Sequence, residues 1–540
     1  MAARTGRRLR VMGAALAVAA ALPASGPAGA QTAPGCDTYA SVVHDAVHGD
    51  VRCEAWTARY NDPVEAYDGP IRGNRAMATS PDGSVLYVGG HSLVDEGSND
   101  LDVVLLAYDT STGAPRFAAR YEGEPQRPRA LAYAMDVDPT GEDVYLLVTV
   151  TELPNGAPTS LLLSFDARTG DLRWTAPLIA PWGTRGSFAS IEVAQDGSRV
   201  YATGTAGFKD ADGKSFLFGV TTAIEARDPE HLGEQVWTTS FDAPHGSFAR
   251  HVAVDGDGGR VFVGGSVLRP NGRRDGFTTL AYEAKEGAEL WRAHAPGAFP
   301  DDQGIPAMAG LAVSPDGTRV FATGADQLED QGPASFNVIR VLAYDGGTGE
   351  ELWDAKVGGQ FPTGGDGPRS GLFIEVGSPI AVRPDGSAVY VAGTLADFGT
   401  IAAGQGERYA LVTAALDPGT GAELWRNEFD EGRPRRTFWP YLPAVAVSED
   451  DVFVTATRGM EAVVPFVIAF GEHQFNTQAL DASTGTTRWV GRWGEGQSRT
   501  AGIAITPDGS RLFVTGDSTA LEERYEGSTD LVTLAYDTAT

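Results

Sequence analysis

The residues best suited to chemistry in this chain are arginines that precede short apolar runs. A guanidinium presents a planar fork of N–H donors that matches a carboxylate or a phosphate, so repeated arginines favour anion binding. The arginines in question are Arg72, Arg75, Arg127, Arg129, Arg185, Arg250, Arg369, Arg433, Arg435, Arg436 and Arg499. The predicted binding set is Arg75, Arg129, Arg185, Arg250, His251, Arg369, Arg436 and Arg499. The alternative is that these arginines pair with nearby carboxylates or face water.

A second chemistry would use histidines and carboxylates as general bases or metal ligands. Its candidates are His245, His251, Asp301 and Asp302, although no spacing fixes them relative to one another. His251 precedes a predicted strand, where it can equally line a channel or pack beneath a loop. These residues permit a hydrolase or a lyase without requiring one.

Two further segments carry partial metal signals. Asp210 and Asp212 precede Gly213 as in part of a calcium loop, but no distal glutamate completes the ligand set. An ordinary polar turn is the alternative there. His44 and His48 lie four residues apart and would share one face of a short helix. With no third fixed ligand, a solvated segment is the alternative for this pair.

The composition limits the partners. The net charge of −29 at pH 7 and the pI near 4.6 disfavour nucleic acid and anionic membranes, which would repel the chain. Residues 1–30 place four arginines before an apolar run and end in Ala28-Gly29-Ala30, the pattern of a signal peptide. We therefore expect cleavage near Ala30 and export to the cell envelope or medium. No other apolar stretch is long enough to span a bilayer.

Residues 31–53 form a separate N-terminal segment that contains both cysteines of the chain, Cys36 and Cys53. In an oxidising compartment these two thiols are expected to pair in a disulfide. The bridge would brace the segment that enters the first predicted strand.

Residues 54–540 repeat a unit of roughly 60 residues that contains two β-hairpins. The first hairpin turns at an Asp-Gly-type pair, as in Pro315-Asp316-Gly317, and the second at a Thr-Gly pair, as in Asp345 to Trp353. The tryptophans that follow the second turn are Trp56, Trp174, Trp237, Trp291, Trp353, Trp425 and Trp489, with Phe117 in the remaining repeat. We interpret them as apolar plugs between neighbouring units.

The eight units predict an eight-bladed β-propeller of four-stranded antiparallel blades, since a ring of sheets covers both faces of each sheet. The Tyr536-Asp537 half of the last hairpin ends the chain, whereas Trp56 opens the first strand, so the N-terminal strand should close the last blade. Alternating strand direction places all Asp-Gly and Thr-Gly turns on one side, the turn face. The longer connections then emerge on the opposite side, the loop face, which is the expected location of function.

The Ala-x-Asp-x-x-Thr-Gly-x-x-x-Trp pattern resembles the quinoprotein-like, or PQQ-like, propeller repeat. The Pro-Asp-Gly-Ser-x-Val-Tyr-Val half is similar to repeats of secreted actinobacterial propeller proteins. The resemblance implies the propeller fold, tryptophans that dock neighbouring blades and, in enzymatic members, PQQ bound over calcium. Alcohol-oxidising members cover the quinone with an adjacent cysteine pair, which this chain lacks.

Three functions remain open at this point. The first is an exported, non-catalytic scaffold that binds a protein, a glycan or a small anion on the loop face, and we expect it to be monomeric. The second is a PQQ- and calcium-dependent dehydrogenase. The third is a propeller hydrolase or lyase. PQQ-like repeats also occur in non-enzymatic scaffolds, so the repeat does not imply the cofactor.

Overall fold

Alternating apolar runs and glycine turns fold into a series of antiparallel hairpins. The computed structural model describes residues 50–52, 54–60, 68–71, 75–93, 101–123, 129–151, 159–210, 212–297, 307–326, 338–358, 371–373, 379–397, 408–429, 436–438, 443–460, 462–464, 467–469, 473–494, 497–519 and 529–539. These residues contain strands and no α-helix. The predicted signal peptide, Cys36, Cys53 and the histidines at 44 and 48 lie outside them.

The hairpins pair into eight blades, each built on four antiparallel strand positions, which confirms the predicted all-β propeller. Blade 1 contains β3 (Asp68–Pro70), β4 (Met77–Thr79), β5 (Val85–Leu93), β6 (Leu101–Asp109) and β7 (Pro115–Tyr121). Blade 2 contains β8 (Arg129–Val137), β9 (Asp143–Thr151), β10 (Thr159–Asp166) and β11 (Leu172–Pro177), and blade 3 contains β12 (Gly186–Val193), β13 (Arg199–Lys209), β14 (Ser215–Glu225) and β15 (Gln235–Phe241). Blade 4 contains β16 (Ser247–Val254), β17 (Arg260–Leu268), β18 (Arg274–Glu283) and β19 (Glu289–Ala295). In blade 1 the innermost position is shared by β3 and β4, which both pair with β5.

Blades 5 to 8 follow the same plan. Blade 5 contains β20 (Ala307–Val313), β21 (Arg319–Asp326), β22 (Val338–Asp345) and β23 (Glu351–Gly358), and blade 6 contains β24 (Gly371–Phe373), β25 (Ile380–Val382), β26 (Val389–Asp397), β27 (Arg408–Leu416) and β28 (Glu423–Phe429). Blade 7 contains β29 (Arg436–Phe438), β30 (Ala444–Val447), β31 (Asp451–Met460), β34 (His473–Asp481) and β35 (Thr487–Trp493). Blade 8 contains β36 (Ser498–Ile505), β37 (Arg511–Ser518), β38 (Asp530–Asp537) and β2 (Trp56–Tyr60). A small hairpin of β32 (Ala462–Val464) and β33 (Val467–Ala469) leaves blade 7 between β31 and β34.

The ring closes through its N-terminus, as the split last hairpin predicts. Strand β2 pairs antiparallel with β38 in a register that sets Trp56 opposite Ala535. The preceding strand, β1 (Asp50–Arg52), adds in parallel to the outer edge of blade 7. Arg52 from this strand lies 4.9 Å from the ring centroid of Trp489 and donates to the carbonyl of Asp537 at 2.5 Å. The N-terminal segment therefore covers the edge of one blade and completes the next.

The Thr-Gly turns have one recurring geometry. In blade 5 an oxygen of Asp345 accepts hydrogen bonds from the backbone N–H groups of Gly347 and Thr348, at 3.0 and 2.8 Å. Gly349 then takes a φ of 73°, a conformation that favours glycine. The two turn types of a blade meet on the turn face, where the Thr110 hydroxyl donates to the carbonyl of Gly83 at 2.7 Å.

Six of the seven repeat tryptophans pack on the glycine of the second turn of the following blade, whereas Trp489 packs on Tyr536 of blade 8. The indole of Trp291 lies between Phe262 of its own blade and Tyr344 of the next, with ring centroids 5.9 and 6.3 Å away. Its Nε1 donates to the carbonyl of Gly346 at 3.0 Å. Equivalent hydrogen bonds run from Trp56, Trp237, Trp353 and Trp425 to Thr110, Ala284, Pro418 and Ala482. The apolar core is thus a series of layers between neighbouring blades.

The packing of Trp291 on Gly349 predicts the effect of adding a methyl group at that glycine. A Cβ at Gly349 would lie 2.6 Å from the Trp291 ring, so Gly349→Ala should combine left-handed strain with overpacking and lose about 2–4 kcal/mol of unfolding free energy. Gly272→Ala is the control, because Gly272 has a φ of 78° with no atom within 4 Å of its Cβ position. The control should lose about 1 kcal/mol in urea denaturation. Equal losses in both variants would show that the tryptophan contact is not tight.

Candidate functional site

The central channel is lined by the innermost strand of each blade, which runs from the loop face to the turn face. In five blades this strand carries a one-residue β-bulge, and the bulged residues are Tyr133, Ala189, Arg250, Ala309 and Ala501. Arg75 holds the same place in blade 1, directly before Ala76, whose carbonyl accepts from Gly89. A bulge reorients a side chain out of the regular pleat. The ring thereby displays two arginines, Arg75 and Arg250, at equivalent positions.

Arg75 is neutralised by carboxylates from two other blades. Its backbone has a φ of 62°, the only positive value of a non-glycine residue in the described part of the chain. Its guanidinium contacts Asp136 of blade 2 at 3.0 Å and Glu192 of blade 3 at 2.5 Å. The predicted role of Arg75 in binding an external anion is not supported by this geometry, because its charge is already paired.

Asp136 and Glu192 occupy one repeated position, directly before the last residue of the innermost strand. The other six blades carry alanine there: Ala78, Ala253, Ala312, Ala381, Ala446 and Ala504. Sequence analysis missed both acids, although an alignment of the eight repeats would have exposed them. Asp136 also accepts a hydrogen bond from the backbone N–H of Val193 at 2.9 Å. The three charged side chains therefore link blades 1, 2 and 3 across the channel.

The electrostatics of this cluster are set by burial. Removal from water raises the pKa of Glu192 to about 7, because burial and the neighbouring charge of Asp136 outweigh the opposing effect of Arg75. The Glu192 side chain keeps 15 % of its exposure, against 42 % for Arg75. Glu192 thus changes its charge near neutral pH while remaining in the channel wall.

Arg250 has a different environment. It is half-buried, and among the described residues no carboxylate lies within ion-pair distance of its guanidinium. Burial lowers its pKa. The neighbouring cation is Arg274 at the start of β18, whose pKa is lowered by burial and by the charge of Arg250. Arg250 and Arg274 are thus two half-buried cations of one blade, close enough for the charge of Arg250 to act on Arg274, and no described carboxylate forms an ion pair with either.

Arg274 is held by an aromatic ring. Its guanidinium carbon lies 5.2 Å from the ring centroid of Phe248, a cation–π arrangement that fixes the plane of the fork. The adjacent Asp275 is engaged elsewhere, since it pairs with Arg269 at 2.9 Å and lies 3.7 Å from His294. Arg274 was missed by sequence analysis because it starts the third strand of its blade, outside the inward connections.

His251 adds no charge to this pair. It is buried, and its Nε2 lies 3.4 Å from the carbonyl oxygen of Met308, which an N–H can donate to. Burial, reinforced by the charge of Arg250, lowers the pKa of His251 to about 4. The imidazole is therefore neutral at physiological pH, and the local charge comes from Arg250 and Arg274 alone.

The other predicted binding residues differ in their exposure. Arg129 and Arg185 are exposed at the starts of β8 and β12. Arg499 in β36 is half-buried near His473, whose pKa is lowered by burial and by Arg499. Arg436 is described only as part of β29, and Arg369 lies outside the described residues. Anion binding by these arginines stays a prediction.

The structure describes only some of the predicted metal ligands and general bases. Asp210 accepts the backbone N–H groups of Asp212 and Lys214 at 3.1 and 2.8 Å, which makes this segment a capped polar turn. His245 is exposed, and the acids at 301 and 302 lie outside the described residues. No group of three or more His, Cys, Asp or Glu side chains is placed to hold a metal in the described ranges.

PQQ over calcium requires a set of oxygen ligands around the ion. In the described channel the carboxylates of Asp136 and Glu192 are engaged by Arg75, and the two cysteines of the chain are not adjacent in sequence. The residues described here therefore do not fit a calcium-bound quinone. Among these same residues no helix has the length and apolar character needed to cross a membrane.

The charge of Glu192 predicts a pH dependence of stability. Because the folded-state pKa is raised from 4.5 to about 7, the stabilising contribution is complete below the unfolded pKa and is lost as the pH rises through about 7. The wild-type unfolding free energy should fall between about pH 5 and about pH 8, and Glu192→Gln should flatten that profile in urea titrations. Glu230→Gln, at an exposed turn residue, is the control. Parallel profiles for wild type and Glu192→Gln would contradict the assignment.

Several solved structures resemble this chain at low sequence identity. The C-terminal WD40 domain of Sif2 aligns with a TM-score of 0.44 and 10 % identity, covering 90 % of this chain and 99 % of that domain. Hydrazine synthase of Kuenenia stuttgartiensis gives 0.41 and 12 %, covering 89 % and 99 %. The Dos1 propeller gives 0.43 and 10 %, covering 87 % and 94 %. No curated protein matches the chain.

The family assignment comes from the repeats themselves. The family model described as outer membrane protein assembly factor BamB matches residues 160–459, which is more than half of the chain. This span runs from blade 2 to blade 7 and contains five of the seven repeat tryptophans: Trp174, Trp237, Trp291, Trp353 and Trp425. The chain therefore belongs to this BamB-like family of PQQ-like repeat β-propellers.

Proposed function

We propose that this protein is an exported, non-catalytic scaffold that binds an anionic ligand at the channel mouth on the loop face. The observation that carries the proposal is the Arg250–Arg274 pair, two half-buried guanidiniums with no carboxylate partner among the described residues. The family description names an assembly factor, which agrees with a role in binding. The signal-peptide pattern of residues 1–30 supports export.

The arginine pair supports anion binding on energetic grounds. Partial burial removes water from each guanidinium, and the two like charges repel, so the empty pair is less stable than two separate surface arginines. An anion between them would relieve both effects and could accept hydrogen bonds from both forks. The chain contains 71 acidic residues, yet none of those described forms an ion pair with Arg250 or Arg274. Arg75, by contrast, has the carboxylates of Asp136 and Glu192 as counter-charges.

A non-catalytic role rests on the chemistry of the same site. Arginine is a poor proton donor or acceptor because its pKa lies far above neutrality. His251 beside the pair is buried and donates toward a backbone carbonyl. The pair therefore holds an anion without offering a nucleophile or a general base to it.

Charge removal tests the site. Calorimetric titration with inorganic phosphate and with acetate should show binding to the wild-type protein, and Arg250→Gln/Arg274→Gln should weaken it at least about tenfold through loss of two charge-assisted hydrogen bonds. Arg292→Gln is the matched control, an arginine of the same blade that pairs with Glu289 at 2.6 Å. Its affinity should equal that of wild type.

Variants of the exposed Arg129 and Arg185 separate this site from a broader arginine ring. Replacing both with glutamine should change phosphate affinity less than about twofold, because exposed charges are screened. Loss of binding in that variant but not in Arg250→Gln/Arg274→Gln would refute the assignment.

Intact-mass analysis of secreted protein tests export, with a mature chain beginning near Gln31 as the expected result.

A further inference from the structure

We propose that the ligand of the arginine pair is a small amphiphilic anion, with its head group between Arg250 and Arg274 and its apolar chain along Leu268 and Leu217. This inference rests on the proposed anion site and adds the chemical class of the ligand. It is carried by apolar side chains that adjoin the pair on the loop face and by the rigidity of the hairpin that displays them.

Leu217 is unusual in its position. Six large apolar side chains are exposed in the described part of the chain: Leu217, Leu232, Val236, Leu290, Leu352 and Leu424. Leu232 lies within the second turn of blade 3, directly before Gly233, and the last four directly precede repeat tryptophans on outer strands. Leu217 alone among these lies on the loop face, with 44 % of its surface exposed.

The hairpin that carries Leu217 projects beyond its blade. Strands β13 and β14 continue to pair with each other through Lys209 and Ser215, whereas β12 starts opposite Ala206 and β15 ends opposite Gly219. Residues 207–218 thus form a two-stranded extension on the loop face. Alternation of side chains along β14 places Leu217 on the opposite face of this extension from Phe216 and Phe218.

An aromatic cluster holds the extension in place from its other face. Trp182 meets Phe208 and Phe218 edge-on, with centroids 5.4 and 5.9 Å apart, and its Nε1 donates to the carbonyl of Gly207 at 2.9 Å. Phe216 stacks on Phe218 at 5.9 Å. Such contacts fix the hairpin, so the exposure of Leu217 is a property of an ordered surface.

Contacts connect Leu217 to the arginine pair. The Cβ position of Gly246 lies 2.6 Å from the carbonyl oxygen of Leu217 and 3.2 Å from Cδ1 of Leu268. Leu268 is the cross-strand partner of Arg274, which in turn lies over Phe248. Leu268 and Phe248 are both half-buried. The backbone of Leu217 and the side chain of Leu268 therefore both adjoin Gly246, and Leu268 lies beside Arg274.

The net charge of the protein favours a small ligand. At −29 the chain repels acidic proteins and anionic membranes as a whole, whereas a molecule with one or two negative charges can approach through screened solvent. Charge complementarity at the pair then selects the head group, and the adjoining leucines favour an aliphatic chain over a polar one. Alkyl carboxylates and alkyl phosphates share this chemistry.

Chain length is the variable that tests the inference. Calorimetry with acetate, butyrate, hexanoate and octanoate should show affinity rising up to about fourfold per methylene, the ratio given by ~0.8 kcal/mol for each buried CH2 group. Leu217→Ser should weaken octanoate about tenfold and leave acetate unchanged. The control is Leu290→Ser, a leucine of 47 % exposure on an outer strand, which should bind octanoate as wild type does. Octyl phosphate against inorganic phosphate distinguishes the two head groups.

The outcomes separate this inference from the anion site. Affinity that is independent of chain length, but abolished in Arg250→Gln/Arg274→Gln, overturns the amphiphilic ligand and leaves the anion site standing. Octanoate binding that survives in that double variant also overturns the inference. If neither the short anions nor the alkyl series binds the wild-type protein, both proposals fall.

Discussion

The contact between a tryptophan of one blade and the glycine turn of the next sets the geometry of the ring. At Gly349 the backbone passes so close to the Trp291 ring that a Cβ would lie 2.6 Å from it, and the indole N–H is satisfied by a carbonyl of the same turn. The interaction combines apolar burial with one directional hydrogen bond, so it fixes both the spacing and the rotation of neighbouring blades. Phe117 fills the same place against Gly170 without the hydrogen bond.

This contact constrains the turn face and leaves the loop face free. Every turn that receives a tryptophan keeps a glycine with a positive φ at the contact, even in blade 3, where the turn after Glu225 is longer than in the other blades. In the part of the loop face that the structure describes, no repeat tryptophan packs on a connection. The 11-residue strands β13 and β14 extend past their neighbours at that end.

The sequence was sufficient to predict the blade count, the split closing blade and the side on which the turns lie, because these follow from spacing that repeats. It was less informative about the channel. The arginines of the inward connections looked alike in sequence, yet Arg75 lies between two carboxylates and Arg250 does not. Those carboxylates, Asp136 and Glu192, are more than 50 residues from Arg75 along the chain. Arg274 was missed for a related reason, since its proximity to Arg250 arises from pairing within the blade.

The equivalence of Arg75 and Arg250 explains how a repeated fold acquires a local function. Both residues hold the same position of the repeat, although only Arg75 has a positive φ, so the repeat places a cation there without specifying its use. The difference lies in one repeat position of the neighbouring blades. This position holds Asp136 and Glu192 in the two blades that contact Arg75, and alanine in the remaining blades. Where acids occupy that position, the cation becomes a link between blades. Where alanine replaces them, the guanidinium keeps its hydrogen-bonding capacity, and at blade 4 a second arginine on Phe248 doubles the charge available to a ligand.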